Sequence, residues 1–166
     1  SKIHGEEWHT QKYHGESLGA LALHPSRIYS SAVVEMFGGF NGEPKAKVSG
    51  VVHITGGGIP GKLGRVLKPS NLGAYLDDLF EPCDLMKYLQ EKGQVSDVEA
   101  YKTWNMGQGM IIITPNPGDV IKIARSRGIE SKVVGEVIQK PDILIRSCGI
   151  NGDKEILSLN QIFSKI

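Results

Sequence analysis

The feature that most constrains this chain is Val51-Val52-His53-Ile54-Thr55-Gly56-Gly57-Gly58-Ile59-Pro60-Gly61. A short apolar run is cut off by three consecutive glycines, with a His three residues ahead of them and a Thr at the junction. The run predicts a buried strand. The glycines predict a turn whose backbone comes close to something, because a side chain there would block the approach. Backbone N–H groups left free at such a turn, at the start of a helix, form a site for an anion such as a phosphate.

A buried strand needs a core around it, and 166 residues with 40% hydrophobic and 22% charged composition supply one. Those values fit one soluble globular domain rather than a disordered or fibrous chain. The net charge is +1, from 19 basic and 18 acidic residues. Such a balance creates no global field toward nucleic acid or a membrane surface, so neither is expected as a partner. Cys83 and Cys148 show no metal-ligand spacing and are too few for a disulfide framework, which points to a reducing cytoplasm. No apolar run approaches the ~18 residues of a membrane span, and no signal peptide is visible. The chain opens on Ser1 rather than Met, as an excised piece or processed product would.

Residues 1–25 are polar, with Gly5, Gly15, Gly19 and histidines, and are expected to form a loosely structured arm or linker ahead of a domain over 26–166. Helical spacing of Ile28, Ala32, Val33, Met36 and Phe37 predicts a helix over 26–37, ended by Gly38-Gly39. A loop to Val48, a strand over 49–54, the glycine turn and a short helix near 57–64 follow. Arg65-Val66-Leu67 is expected as a brief strand, and 73–80 as another. Pro82 opens a helix to Lys92, capped by Gly93. Ser96 with Glu99 resembles a capping box for a helix ending near Trp104-Asn105. Residues 109–114 make the strongest strand signal. Pro117 starts a helix that Gly128 stops, and strands are expected over 132–138, 142–147 and 155–159. Interleaved strands and helices with a hairpin-like pair near the end predict an α+β fold, a mixed sheet with helices packed on it.

Several motifs carry less than they promise. Gly56-x-Gly58-x-x-Gly61, with Asp77 downstream, formally matches a dinucleotide fingerprint. Pro60 and Gly64 interrupt the helix that should follow, and Pro69-Ser70-Asn71 breaks the crossover. Gly61-Lys62 is followed by Leu63, so there is no phosphate loop of the Walker type. A tight strand-to-helix turn without a ligand is the plainer alternative. His53 is either a hydrogen-bonded core residue or, beside these glycines, a ligand contact. In Thr103-Trp104-Asn105-Met106-Gly107-Gln108-Gly109, Asn105 offers a donor and an acceptor, and Gly107 and Gly109 permit close backbone approach. His4, His9 and His14 recur every five residues, a step that keeps no common face on a helix or a strand, so no metal site is expected. Asp77, Asp78 and Glu81 read as a solvated acidic loop.

Taken in order, the blocks Arg27-Ile28-Tyr29, His53-Ile54-Thr55-Gly56-Gly57-Gly58 with Arg65-Val66-Leu67, Phe80-Glu81-Pro82, Leu89-x-x-x-Gly93-x-Val95, Tyr101-Lys102-Thr103-Trp104-Asn105-Met106-Gly107-x-Gly109-Met110 and Gly135-Glu136-Val137 are familiar. They resemble the C-terminal half of aminoimidazole ribonucleotide synthetase, the phosphoribosylformylglycinamidine cyclo-ligase family, over roughly residues 24–146. The resemblance implies an α/β/α layered domain, partly ferredoxin-like, as in selenophosphate synthetase and thiamine-monophosphate kinase. It implies an ATP-dependent ligase of purine biosynthesis acting on formylglycinamidine ribonucleotide, with ATP and Mg2+ bound mainly by an N-terminal domain absent here. It further implies a homodimer at full length, and a chain that does not turn over by itself. Trp104 stands where the family more often has Phe. The substrate- and phosphate-binding residues expected are His53, Thr55, Gly56, Gly57, Gly58, Asn105, Met106 and Gly107, with no catalytic residue assigned and no metal ligand. A non-catalytic phosphometabolite-binding module and a selenophosphate synthetase or thiamine-monophosphate kinase type of enzyme are the competing readings.

Overall fold

A computed structural model describes residues 3–151 and 156–159. In chain order it forms β1 (Lys12–Tyr13), β2 (Glu16–Ser17), α1 (Leu18–Ala22), α2 (Ser30–Met36), β3 (Gly50–His53), α3 (Gly58–Leu67) and β4 (Gly73–Leu76). There follow α4 (Asp84–Gly93), α5 (Asp97–Thr103), β5 (Met110–Ile113), α6 (Pro117–Ser126), β6 (Gly135–Ile138), β7 (Ile143–Arg146) and β8 (Ile156–Ser158). The expectation of an α+β fold holds.

β5 pairs antiparallel with β3, Val52 opposite Ile111 and His53 opposite Met110. A second, mixed sheet runs β6-β4-β7-β8, with β4 parallel to β7 and the other pairs antiparallel. β5 shows why the strongest strand signal is a continuous apolar run. Ile111 packs with Ile59, Leu63 and Leu67 of α3 and with Ala100 and Tyr101 of α5. Ile112 packs instead with Ala32 and Met36 of α2 and with Val120, Ile123 and Ala124 of α6. A strand covered by helices on both faces has no polar face to offer. The β3–β5 pair is therefore the middle of three layers.

Local chemistry explains the boundaries. In α3, Ile59, Leu63 and Leu67 recur every four residues and are all buried, so the helix has a continuous core stripe. Pro60 lies in its first turn, where no intrahelical acceptor is available to its missing N–H, and does not break it. The same stripe corrects the strand expected at 65–67: those residues complete α3, and a short 3-10 turn at Lys68–Ser70 carrying Pro69 ends it. In α5 the Ser96 hydroxyl accepts the Glu99 N–H at 3.3 Å as predicted, while the Glu99 carboxylate accepts from Thr103 rather than closing the capping box.

Three other expectations need correction. α2 begins at Ser30, not Ser26; Ile28 is exposed and contributes nothing to the helical stripe of Ala32 and Met36. α4 begins at Asp84, with Cys83 at its N-cap and Pro82 buried outside it, and the left-handed residue at its end is Gln94, one position past Gly93. Residues 6–22 are not loosely structured. They form a 3-10 turn (Glu6–Thr10), the β1–β2 hairpin and α1, and Leu18 is buried. This segment docks on α4: the Tyr88 hydroxyl lies 2.7 Å from His4 Nε2, and the Tyr13 and Tyr88 rings are 4.5 Å apart.

Candidate functional site

β3 ends at His53 and the chain turns sharply. Gly57 takes a left-handed φ of 93° as the N-cap of α3, and Gly58 follows at 60°. The Gly58 N–H donates to the Thr55 carbonyl at 3.0 Å, which closes the turn. A Cβ on Gly58 would collide with the Tyr101 carbonyl oxygen of α5. Gly58 is buried and shapes the turn, so the expectation that it contacts a ligand is corrected by its packing. Gly56 and Gly57 are different. Both are exposed, neither has an atom within 4 Å of a built Cβ, and neither N–H has a hydrogen-bond partner among the described residues. Two bare amides at the positive end of a ten-residue helix offer an anion a place to sit.

The second corner lies at the same end of the β3–β5 pair. The Ile54 N–H donates to the Gly109 carbonyl at 3.0 Å, which ties the residues after β3 to those before β5. Asn105 Oδ1 accepts from the Gly107 N–H at 3.1 Å, and the Asn105 carbonyl accepts from Gln108 at 3.0 Å. Asn105 thus folds its own corner, and its Nδ2 makes no hydrogen bond among the described residues. Gly107 is exposed there. Met106 is corrected: its side chain is fully buried in the main core, and only its backbone, at φ 47°, contributes to the corner. His53 and Thr55 are exposed at the rim.

Two residues here escaped the sequence reading. Gln108 is buried and clamps the corner to the segment after β4: its Oε1 accepts from the Phe80 N–H at 3.1 Å, and its Nε2 donates to the carbonyls of Phe80 (2.7 Å) and Met106 (2.8 Å). The signal available was a lone Gln between two glycines. Tyr29 reaches His53 with ring centroids 6.3 Å apart and stands over Gly109, where a Cβ would collide with its hydroxyl. Nothing in the periodicity around 26–37 places it at the site, since it lies just before α2.

A cleft of about 580 Å3 opens from this corner. It is lined by Arg27, Tyr29, Glu81 and residues 107–109, by β4, β5 and β6, and by residues of α2 and α6. Alternation of paired residues turns the backbone groups of Met110 and Ile112 away from β3, and those of Gly135 and Val137 away from β4. Two free strand edges therefore line the cleft.

Beneath the glycine turn a buried polar network stiffens α5. Asp97 accepts from Gln90 Nε2, from the Ser147 hydroxyl and from the Asn151 N–H. The Tyr101 hydroxyl accepts from the Cys148 N–H at 2.9 Å, and burial pushes its ionisation well above the ordinary tyrosine range. Among the described residues no three His, Cys, Asp or Glu side chains gather as a metal-binding group.

The chain as a whole also matches known proteins. A family model described as AIR synthase related protein, C-terminal domain, matches residues 1–146. The chain belongs to that family. Similar curated proteins are phosphoribosylformylglycinamidine cyclo-ligases. That of Methanopyrus kandleri is 34% identical over 143 residues, covering 85% of this chain and 39% of the relative. That of Methanosarcina acetivorans is 37% identical over 124 residues, 75% of this chain and 33% of the relative. That of Methanocaldococcus jannaschii is 34% identical over 145 residues, 85% and 37%. The chain thus spans less than half the length of the curated relatives it matches. As an AIR synthase related C-terminal domain, its matched region includes the segment before α2, in keeping with the docking of that segment on α4. No helix among the described residues is long and apolar enough to cross a membrane.

Proposed function

We propose that this chain is the C-terminal domain of a cytoplasmic phosphoribosylformylglycinamidine cyclo-ligase, which closes the imidazole ring of aminoimidazole ribonucleotide in purine biosynthesis. The observation that carries the reading is the meeting of an open glycine turn with the Asn105 corner at one end of the β3–β5 pair, in a chain of this family. The substrate is formylglycinamidine ribonucleotide. Its phosphate lies against the N–H groups of Gly56 and Gly57, with Thr55 at the edge of the same turn. His53 and the free Nδ2 of Asn105 orient the rest of the molecule. This chain contributes positioning and electrostatic stabilisation: amides held by the hydrogen-bonded glycine turn and the Asn105 corner need little reorganisation when charge develops on substrate oxygens. ATP, when bound, supplies activation of the formyl oxygen, and both it and Mg2+ are held mainly by the N-terminal part of the full-length protein. That part also forms the homodimer, and the chain alone does not turn over.

A titration with inorganic phosphate, followed by amide NMR, tests the reading. Shifts should concentrate at Gly56 and Gly57 and extend to Gly58. Shifts confined to the basic surface around Arg125 and Arg127 would count against it.

A further inference from the structure

We propose that Tyr29 is a further ligand-binding residue of this site, its hydroxyl reserved for a neutral hydrogen-bonding atom of the ribonucleotide beyond the phosphate. The inference rests on the function proposed above. Tyr29 is half-buried at the N-cap of α2. Its ring meets His53 at a 62° angle, and its hydroxyl end lies directly over Gly109. Gly109 in turn is bonded to Ile54. The phenol therefore bridges the ends of β3 and β5, and it also lines the cleft.

Two features make it a binding group rather than a packing one. Its hydroxyl makes no hydrogen bond among the described residues, although a phenol offers one donor and accepts as well. Its position is also set before any ligand arrives, by the imidazole on one side and a glycine that leaves it room on the other. A group held that way loses little freedom on binding. The bare amides of Gly56 and Gly57 take the anionic end of a ligand, and the tyrosine hydroxyl is available to the uncharged remainder.

Tyr29→Phe keeps the ring, its contact with His53 and its cover over Gly109, and removes only the oxygen. The full 166-residue chain is titrated with inorganic phosphate and, separately, with aminoimidazole ribonucleotide. Phosphate affinity and melting temperature should be unchanged, while ribonucleotide affinity falls about five- to tenfold, the worth of one neutral hydrogen bond. Equal ribonucleotide affinity in both proteins, with the phosphate response at Gly56 and Gly57 intact, overturns the role of Tyr29 and leaves the proposed function standing. A matching loss of phosphate affinity also overturns it, because the effect would then travel through the turn. A wild-type chain that answers neither probe overturns both readings.

Discussion

Gly56 and Gly58 stand two positions apart in one turn, and a methyl group would meet different surroundings at each. At Gly56 it would point into open space, and the backbone is not in the left-handed region. At Gly58 it would strike the Tyr101 carbonyl from a φ of 60°. Gly56→Ala should leave the urea midpoint unchanged and weaken phosphate binding, because only the approach to the amides is altered. Gly58→Ala should cost about 2–4 kcal/mol, the left-handed penalty plus a backbone clash. Parallel denaturation and phosphate titration of the two variants check this; equal destabilisation would show that the turn is purely structural. At the same scale the sequence reading grouped His53, Thr55, Gly56, Gly57, Gly58, Asn105, Met106 and Gly107 as expected binding residues, and it could not tell exposed Gly57 from buried Gly58. That difference comes from α5 pressing on the helix start, a contact between residues 43 positions apart in sequence.

Among the elements, the link between the corner before β5 and the segment after β4 depends on one side chain. Gln108 gives Phe80 both an acceptor and a donor, much as a neighbouring strand would, and adds a bond to Met106. Gln108→Leu fills similar space and leaves those three backbone groups without partners. Unfolding by urea should show a loss of about 2–3 kcal/mol, since stranded buried polar groups cost more than the bonds themselves contribute. A loss near zero would mean that water replaces the amide. Element type was legible wherever periodicity was strong, as in β3, β5, α5 and α6. It failed at 65–67, where three residues suit a strand locally but Leu63 and Leu67 continue the buried face of α3. It failed again at 26–29, where Ile28 mimics a core position and lies 78% exposed.

On the scale of the whole molecule, residues 4–22 brace α4 rather than the site. Leu18 is buried, and Tyr88 of α4 is covered by His4 and Tyr13. Removing the chain up to Ala22 should lower stability by about 2–4 kcal/mol, the burial of one leucine and part of an aromatic cluster. The phosphate response of Gly56 and Gly57 should persist in the truncated protein, measured below its melting point. Loss of that response with the fold intact would mean that the segment reaches the site. The two sheets are a second property of this scale. Their free edges, β5 and β6, line one cleft, and no local pattern announces that two strands with alternating or apolar runs will stay apart.

By itself the sequence determined the strand–glycine–helix turn, the strand at β5 and the α+β class, because each follows from side-chain volume and hydrogen-bonding needs within a few residues. Only the tertiary structure decided which amides stay bare, that Gln108 ties the corner down, and that Tyr29 stands over Gly109 beside His53. Those outcomes depend on contacts between distant segments, and short-range physical chemistry sets which contacts are possible without selecting among them.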